Sequence, residues 1–137
     1  MKIGDLATSR VVTIGRQGTA LEAARSMREH RVGEVVLVDE TPSARVPLGL
    51  LTDRDIVGAA AEGADLASLR ATEIASRDPL IADADQDIDD VVRAMQKRSV
   101  RRALIVNPLG ELVGVVAYED VVAWMAEELA EIARALR

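Results

Sequence analysis

Apolar positions in the first half of the chain recur first with helical spacing and then with strand spacing. From Leu21 to about His30 they follow a helical period, and Thr19 with Glu22 three residues later has the pattern of a capping box. The run "EVVLVD" that follows is typical of a strand buried on both faces. After a turn in "ETPSARVP", a short strand at residues 48–51 leads into a second helix. The pattern predicts the order β-α-β-β-α.

The same pattern occurs a second time in the chain. Residues 11–39 align with residues 79–107 at an offset of 68 positions, and residues 48–57 align with residues 113–122 at an offset of 65. The offset falls because the turn of the second copy, around "PLG", is three residues shorter. Asp87 stands at the predicted helix cap of this copy. The chain therefore contains two copies of a repeat of about sixty residues.

The repeat sets the predicted domains and the fold class. Residues 2–66 form the first repeat, residues 67–125 form the second, and residues 126–137 form a C-terminal helical extension. One repeat cannot easily bury its sheet alone, so we expect the two repeats to pack through their sheets as a pseudo-twofold pair. The predicted fold class is α/β (α+β), with two β-α-β-β-α repeats and a C-terminal helix.

Composition and charge narrow the class of protein. The 137 residues are 49% hydrophobic and contain no Phe, which predicts one compact unit with an aliphatic core. The net charge of −6 argues against nucleic-acid binding, because that needs a basic face. Apolar runs such as "ELVGVVAYE" are far shorter than the roughly 18 residues of a membrane span. We therefore expect a soluble, cytoplasmic protein.

The sequence contains no recognisable catalytic or metal-binding set. It has no Cys, no Gly-rich phosphate loop and no Ser-His-Asp set. His30 is the only histidine, and its place at a helix end favours a capping or exposed role over metal ligation. The acidic run "DADQDIDD" lacks the central Gly and closing Glu of an EF-hand, so helix capping explains it better. We expect neither an enzyme nor a required cofactor.

The ordered motifs resemble a tandem pair of CBS domains, known as a Bateman module. The resemblance covers about residues 2–125. The first copy reads "VVTI", "TALEAARSM", "VGEVVLVD" and "LGLLTDRDI", and the second reads "EIASRDPLIA", "DIDDVVRAM", "VRRALIVN" and "LVGVVAYEDV". Each motif alone indicates little, but the ordered set occurs twice. The resemblance implies a regulatory module that binds an adenosyl compound.

The stretch "GLLTDRDI" has two interpretations. Taken locally, Asp53 or Asp55 is the N-cap residue of the following helix and satisfies its free N–H groups. In CBS pairs, a Ser/Thr-x-x-Asp at this position serves a nucleotide. The resemblance therefore implies that Asp55 accepts hydrogen bonds from both ribose hydroxyls and that Thr52 donates to phosphate or ribose. It favours the ligand site over a cap alone.

Two basic residues precede the long strand of the second repeat. Arg101 and Arg102 stand where CBS domains that bind phosphorylated adenosine carry His or Arg, and Arg suits phosphate oxygens. In the family this strand start faces the Thr-x-x-Asp of the other repeat, which implies one shared site. The alternative is one solvated Arg and one that pairs with a nearby Asp. The implied apolar slot for adenine consists of Leu50, Pro79 and Leu80.

The pseudo-symmetric second cleft is predicted to bind more weakly. Ala117 replaces the Thr, and Gly33 and Glu34 stand where the first cleft has two Arg residues. Glu34 would repel an anionic ligand, whereas a neutral or cationic adenosyl compound is less excluded. The residues implied for this weaker site are Val11, Val12, Val115 and Asp120.

The C-terminal helix contains an apolar heptad pattern. Its residues alternate at intervals of three and four along the chain: Val122, Met125, Leu129, Ile132 and Leu136. We call this set the seam. It packs either on the chain's own core or against a second chain. CBS pairs commonly form disc-like homodimers, so we expect a homodimer.

Two functional classes remain open from the sequence. The first is a regulatory module that senses AMP, ADP, ATP or S-adenosylmethionine and signals through its homodimer to an unidentified protein. The second is a structural or interaction dimer whose ligand clefts are vestigial. Binding of any adenosyl compound would distinguish the two.

Overall fold

The computed structural model describes residues 1–41, 44–76 and 78–137 and confirms the predicted α/β class. A short helix, α1 (Ile3–Leu6), precedes the repeats. The first repeat has its five elements in the predicted order: β1 (Thr13–Gly15), α2 (Ala20–His30), β2 (Glu34–Thr41), β3 (Ala44–Thr52) and α3 (Asp53–Ala61). In its sheet, β2 lies in the middle, parallel to β1 and antiparallel to β3.

Strand β3 begins earlier than the strand predicted at residues 48–51. It pairs with β2 from Ala44 to Thr52, because backbone groups outside the apolar run also join the ladder. The turn predicted in "ETPSARVP" includes Pro42 and Ser43, which lie outside the described residues.

The second repeat follows a single 3₁₀ turn, η1 (Ala71–Glu73). Its elements also match the predicted order: β4 (Ile81–Asp83), α4 (Ile88–Arg98), β5 (Arg102–Val106), β6 (Leu112–Ala117) and α5 (Tyr118–Ala135). Its sheet has the order β4-β5-β6, with β4 parallel to β5. Helix α5 runs without interruption through the predicted start of the C-terminal extension at residue 126.

Each repeat has its own aliphatic core. In the first repeat, Ala23 and Met27 of α2 pack against Val35 and Leu37 of β2 and Leu51 of β3. In the second, the corresponding cluster includes the following residues of α4, β5 and β6: Ile88, Val91, Met95, Ala103, Ile105 and Val116. Each of these two helices therefore buries one face, with Met27 of α2 and Met95 of α4 at aligned positions.

Each compact unit combines most of one repeat with residues of the other, chiefly a segment from its start. The first-repeat unit comprises residues 10–79 and 109–112, and the second-repeat unit comprises residues 1–9, 80–108 and 113–137. The compact units and the repeat boundaries drawn from the sequence therefore divide the chain differently. The packing of the two repeats through their sheets stays a prediction.

The added segments pair with the last strand of the sheet in each unit. In the first-repeat unit, Ser76 N–H donates to the Leu50 carbonyl at 2.9 Å. In the second-repeat unit, Thr8 and Val115 exchange two backbone hydrogen bonds of 3.0 and 3.1 Å. Ser76 aligns with Thr8 and Leu50 aligns with Val115, so both units use the same bridge.

The aligned glycines Gly49 and Gly114 make this bridge feasible. A Cβ on Gly49 would clash with the carbonyl oxygen of Ser76, and a Cβ on Gly114 would lie 2.8 Å from that of Thr8. The crossing backbone leaves no room for a side chain at either position.

The two predicted N-cap positions are confirmed, but only one of them has a side-chain capping bond. Thr19 Oγ1 accepts a hydrogen bond from Glu22 N–H at 3.1 Å, so Thr19 caps α2 as predicted, although the described contacts do not include the reciprocal Glu22 bond of a full capping box. Asp87 occupies the N-cap position of α4, but its side chain makes no capping hydrogen bond. Its Oδ1 lies 3.5 Å from Lys2 Nζ instead, in an exposed ion pair. Asp87 is therefore the N-cap residue of α4 as predicted, but it does not cap the helix through a side-chain hydrogen bond.

Helix α5 has one face on the core and one in solvent. Val121 is buried and Trp124 packs against the second-repeat core. The five seam residues are 48–82% exposed, so the seam does not pack on the core of its own chain. Among the described helices, none has the length and apolar character needed to cross a bilayer.

Candidate functional site

Thr52 and Asp55 contact each other where β3 passes into α3. Thr52 has extended backbone angles and is the N-cap residue; its Oγ1 accepts from Asp55 N–H at 3.3 Å. Asp55 Oδ2 accepts in return from Thr52 N–H at 2.9 Å and from the Thr52 hydroxyl at 3.1 Å. This is a complete capping box. The expectation that Asp53 or Asp55 is the N-cap residue is wrong, because Thr52 is the last residue with extended backbone.

The cap does not use all of the Asp55 carboxylate. Both hydrogen bonds end on Oδ2, so Oδ1 accepts none from the described residues. Thr52 and Asp55 are each half-buried. A fixed carboxylate with one oxygen outside these hydrogen bonds at a helix start can accept from a ligand hydroxyl. Capping and ligand binding are therefore compatible roles for Asp55, whereas the Thr52 hydroxyl already donates its proton to Asp55 Oδ2.

Arg101 and Arg102 both pair with one carboxylate on α5. Arg101 Nε donates to Glu119 Oε1 at 2.9 Å, and Arg102 Nη1 donates to Glu119 Oε2 at 3.3 Å. The Arg101 guanidinium also lies 5.5 Å from the centre of the Tyr118 ring, a cation–π distance. Neither arginine is the solvated Arg of the alternative, because both pair with Glu119.

Glu119 is a residue that the sequence reasoning missed. The hydrogen bond from Arg101, with the charges of both arginines, holds the pKa of Glu119 below its usual value. The alignment of the two repeats could have drawn attention to Glu119. It places this acid at the position of Arg54 in the first repeat, so the charge at that position is reversed. In both repeats the same backbone hydrogen bond ties the strand start to the helix start: Tyr118 N–H to Arg101 O, and Asp53 N–H to Gly33 O.

The residues predicted for the adenine slot are partly or fully buried, and two of them make backbone hydrogen bonds within the fold. Leu80 is only 8% exposed and belongs to the second-repeat core, while its carbonyl accepts from Leu104 N–H at 2.8 Å. Leu50 is half-buried, and its carbonyl accepts from Ser76 N–H. Pro79 is half-buried.

The residues of the predicted weaker site differ from those of the stronger one. Ala117 is the N-cap of α5 and has no capping side chain, so Asp120 lacks the hydroxyl partner that Asp55 has. Asp120 is exposed, and Val115 is only 7% exposed. Val11 and Val12 are half-buried.

Each unit also contains an open groove of about 300 Å³. The groove of the second-repeat unit is lined by Met95, Gln96, Ser99, Val100, Arg101 and Tyr118, and so includes one predicted site residue. The groove of the first-repeat unit is lined by Arg16, Leu37, Leu48, Thr72, Ala75 and Ser76, which were not predicted.

The described part of the chain contains no group of three or more His, Cys, Asp or Glu side chains placed to hold a metal ion. The ring Nδ1 of His30 lies 2.9 Å from the Ser26 carbonyl oxygen, one turn back on the same helix. This local contact matches the capping or exposed role expected for His30.

Comparison with known proteins identifies the family. A profile of the CBS domain matches residues 3–62 and 71–127. The chain belongs to the CBS domain family. The two matched segments confirm the predicted tandem pair.

Several relatives are similar along most of this CBS pair. It is 32% identical over 122 residues to an uncharacterized protein of Methanopyrus kandleri, covering 88% of this chain and 61% of that protein. It therefore spans less than two thirds of that relative. It is also 32% identical over 125 residues to Hypoxic response protein 1 of Mycobacterium tuberculosis, covering 90% of this chain and 84% of that protein.

Solved structures of CBS proteins have the same fold. The crystal structure of Hypoxic Response Protein I with two coordinated zinc ions has a TM-score of 0.75 and 30% identity, covering 90% of this CBS pair and 98% of that chain. A CBS domain protein from Pyrobaculum aerophilum complexed with AMP has a TM-score of 0.76 and 28% identity, covering 88% and 89% of the two chains.

Proposed function

We propose that this CBS pair is a regulatory module that binds a phosphorylated adenosyl ligand such as AMP, ADP or ATP. The observation that carries the proposal is the Thr52–Asp55 capping box, which holds a half-buried carboxylate with Oδ1 accepting no hydrogen bond from the described residues. The AMP complex of the Pyrobaculum aerophilum relative supports the ligand class.

Each proposed residue has a role that suits its chemistry. Asp55 accepts from the ribose hydroxyls, and the Thr52 hydroxyl donates to ribose or phosphate by releasing its hydrogen bond to Asp55 Oδ2, because a hydroxyl has a single proton to donate. Arg101 and Arg102 contact the phosphate through charge-assisted hydrogen bonds. The adenine contacts the apolar residues Leu50, Pro79 and Leu80. The assignment of these residues to one ligand rests on the family resemblance, and a double-mutant cycle tests it.

A second, weaker ligand site is proposed at Val11, Val12, Val115 and Asp120. Because Asp120 lacks a Thr partner and Glu34 replaces an Arg, this site favours a neutral or cationic adenosyl compound such as S-adenosylmethionine. It contributes little to the binding of AMP.

The signal is proposed to pass through a homodimer to a regulated protein. The exposed seam of α5 supports the dimer, because its heptad spacing matches the pattern by which one helix packs on a second copy of itself. The regulated protein is unidentified.

The experiment that tests the function is a calorimetric titration with adenosine, AMP, ADP, ATP and S-adenosylmethionine. We expect AMP to bind more tightly than adenosine, because each charge-assisted contact is worth about 1.5–3 kcal/mol. Replacing both Arg101 and Arg102 by Ala should remove this preference and leave the adenosine affinity nearly unchanged.

A matched control variant removes two positive charges outside the proposed site. Arg93→Ala with Lys97→Ala removes two exposed positive charges from α4 and should keep the AMP preference. Raising the salt concentration should weaken AMP binding to the wild type and leave adenosine binding unchanged. If the Arg101/Arg102 variant retains the AMP preference, the phosphate is held elsewhere.

The second candidate function is a structural or interaction dimer without a ligand. The exposed seam favours it, because this surface needs a partner whether or not the clefts bind anything. No heat and no thermal shift with any of the five compounds would leave this function as the better account.

A further inference from the structure

Glu119 lies against both arginines that are proposed to hold phosphate. Each carboxylate oxygen accepts from a different guanidinium, Oε1 from Arg101 at 2.9 Å and Oε2 from Arg102 at 3.3 Å. Guanidinium groups bind carboxylate and phosphate oxygens through the same fork of N–H donors. Glu119 therefore engages the donors that a ligand phosphate would need.

The acid and the two arginines occur together in one repeat. At the aligned positions the first repeat has Gly33 and Glu34 in place of the arginines and Arg54 in place of Glu119. The charges are thus reversed between the repeats. All three partners belong to the second-repeat unit.

The ion pairs of Glu119 are weak enough to be exchanged. The side chains of Arg101, Arg102 and Glu119 are 67%, 35% and 51% exposed. Ion pairs at such exposed positions are screened by water and salt. The Tyr118 ring contacts Arg101 independently of Glu119 and can hold the guanidinium in place during an exchange.

We propose that Glu119 is a specificity-determining residue that competes with the ligand phosphate for Arg101 and Arg102. This inference rests on the proposed function and deepens it. Glu119 lowers the affinity for phosphorylated adenosyl compounds and leaves the affinity for adenosine unchanged. The site consequently selects ligands whose phosphate charge exceeds that of one carboxylate.

The test compares Glu119→Gln with the wild type in titrations of AMP and adenosine. Gln has nearly the same size and removes the charge. We expect the AMP affinity to rise about three- to fivefold, as for the loss of one exposed ion-pair competitor. The adenosine affinity should not change. The control Glu127→Gln removes an exposed acid from the same helix and should leave both affinities at their wild-type values.

Two results would overturn the inference while the proposed function stands. An AMP affinity equal to that of the wild type would show that Glu119 does not compete. A lower AMP affinity would show that Glu119 positions the arginines for the ligand. In both cases the wild type still prefers AMP over adenosine.

A titration with inorganic pyrophosphate separates the inference from the proposed function. If neither protein binds an adenosyl compound but Glu119→Gln binds pyrophosphate more tightly than the wild type, the competition stands and the adenosyl function fails. If neither binds adenosyl compounds and both bind pyrophosphate equally, both proposals fail.

Discussion

Asp55 Oδ2 accepts two hydrogen bonds from Thr52, one from the backbone N–H at 2.9 Å and one from the hydroxyl at 3.1 Å. The two residues proposed to bind the ligand therefore also hold the first turn of α3. A substitution at either position changes the stability of this helix start as well as the ligand contacts. Tests of the site need a control that removes a cap without touching the ligand residues.

Asp55→Ala should weaken AMP binding by about 1.5–3 kcal/mol, the scale for losing hydrogen bonds to a charged group. The fold should survive, because the substitution affects one half-buried side chain. Isothermal titration calorimetry gives the affinity and thermal unfolding gives the stability. The control Thr19→Ala removes the cap of α2, costs about 0.5–2 kcal/mol of stability and should not affect AMP binding. Wild-type AMP affinity in Asp55→Ala would show that the ribose role is wrong.

Asp120→Ala should reduce AMP affinity less than Asp55→Ala does. Asp120 is exposed and follows an Ala N-cap, so no hydroxyl fixes its carboxylate. The same titration measures both variants. Equal losses would mean that the two predicted clefts contribute equally to AMP binding.

Gly49→Ala should destabilise the protein by about 1–3 kcal/mol, as expected for overpacking against a rigid neighbour. The new Cβ would meet the Ser76 carbonyl oxygen, which the bridge to Leu50 holds in place. Urea denaturation measures the change. In the control Gly58→Ala, the Cβ meets nothing within 4 Å, and the helix gains about 0.5–1 kcal/mol. A neutral Gly49→Ala would show that the crossing segment moves easily.

Leu129→Asp with Ile132→Asp should convert a dimer into a monomer. Both residues are exposed in the single chain and lie in the seam, so two charges there would be buried in a dimer interface. Light scattering coupled to gel filtration measures the mass. The control Val57→Asp changes an exposed apolar residue of α3. Loss of the dimer in Val57→Asp alone would place the interface on α3 instead.

Glu119→Gln should lower stability at neutral pH and have no effect at low pH. The Arg101 hydrogen bond depresses the pKa of Glu119 in the folded state. The stabilisation is therefore present above the pKa of the unfolded chain and is lost as the pH falls through the folded-state pKa. Because Glu119 is half exposed, the free energies of unfolding of the wild type and Glu119→Gln at neutral pH should not differ by more than about 1 kcal/mol.

A denaturation series from neutral pH down to about pH 2 checks this dependence. The curves of the wild type and Glu119→Gln should converge as the pH falls. If the two proteins still differ in free energy of unfolding at the lowest pH, the effect of the Gln substitution comes from packing and not from the lost charge. Glu127→Gln should match the wild type throughout the series.

Local spacing was sufficient to predict the order of the elements. The apolar period of α2 ends at His30 as expected, and the aligned positions Met27 and Met95 are both buried. Such a period records which face of a helix or strand is apolar, which is a property of neighbouring residues alone. The sequence also showed that Gly49 aligns with Gly114, but it did not show the crossing backbone that requires a Gly at both positions.

By itself, the sequence determined two β-α-β-β-α repeats, their resemblance to CBS domains and the candidate residues Thr52, Asp55, Arg101 and Arg102. The tertiary structure decided what these side chains contact. It assigned the cap to Thr52, left Asp87 without a capping bond and brought Glu119 to arginines 17 and 18 positions earlier in the chain. The physical reason is that periodicity depends on local backbone geometry, whereas an ion pair or a close backbone crossing depends on which distant segments the folded sheet places side by side.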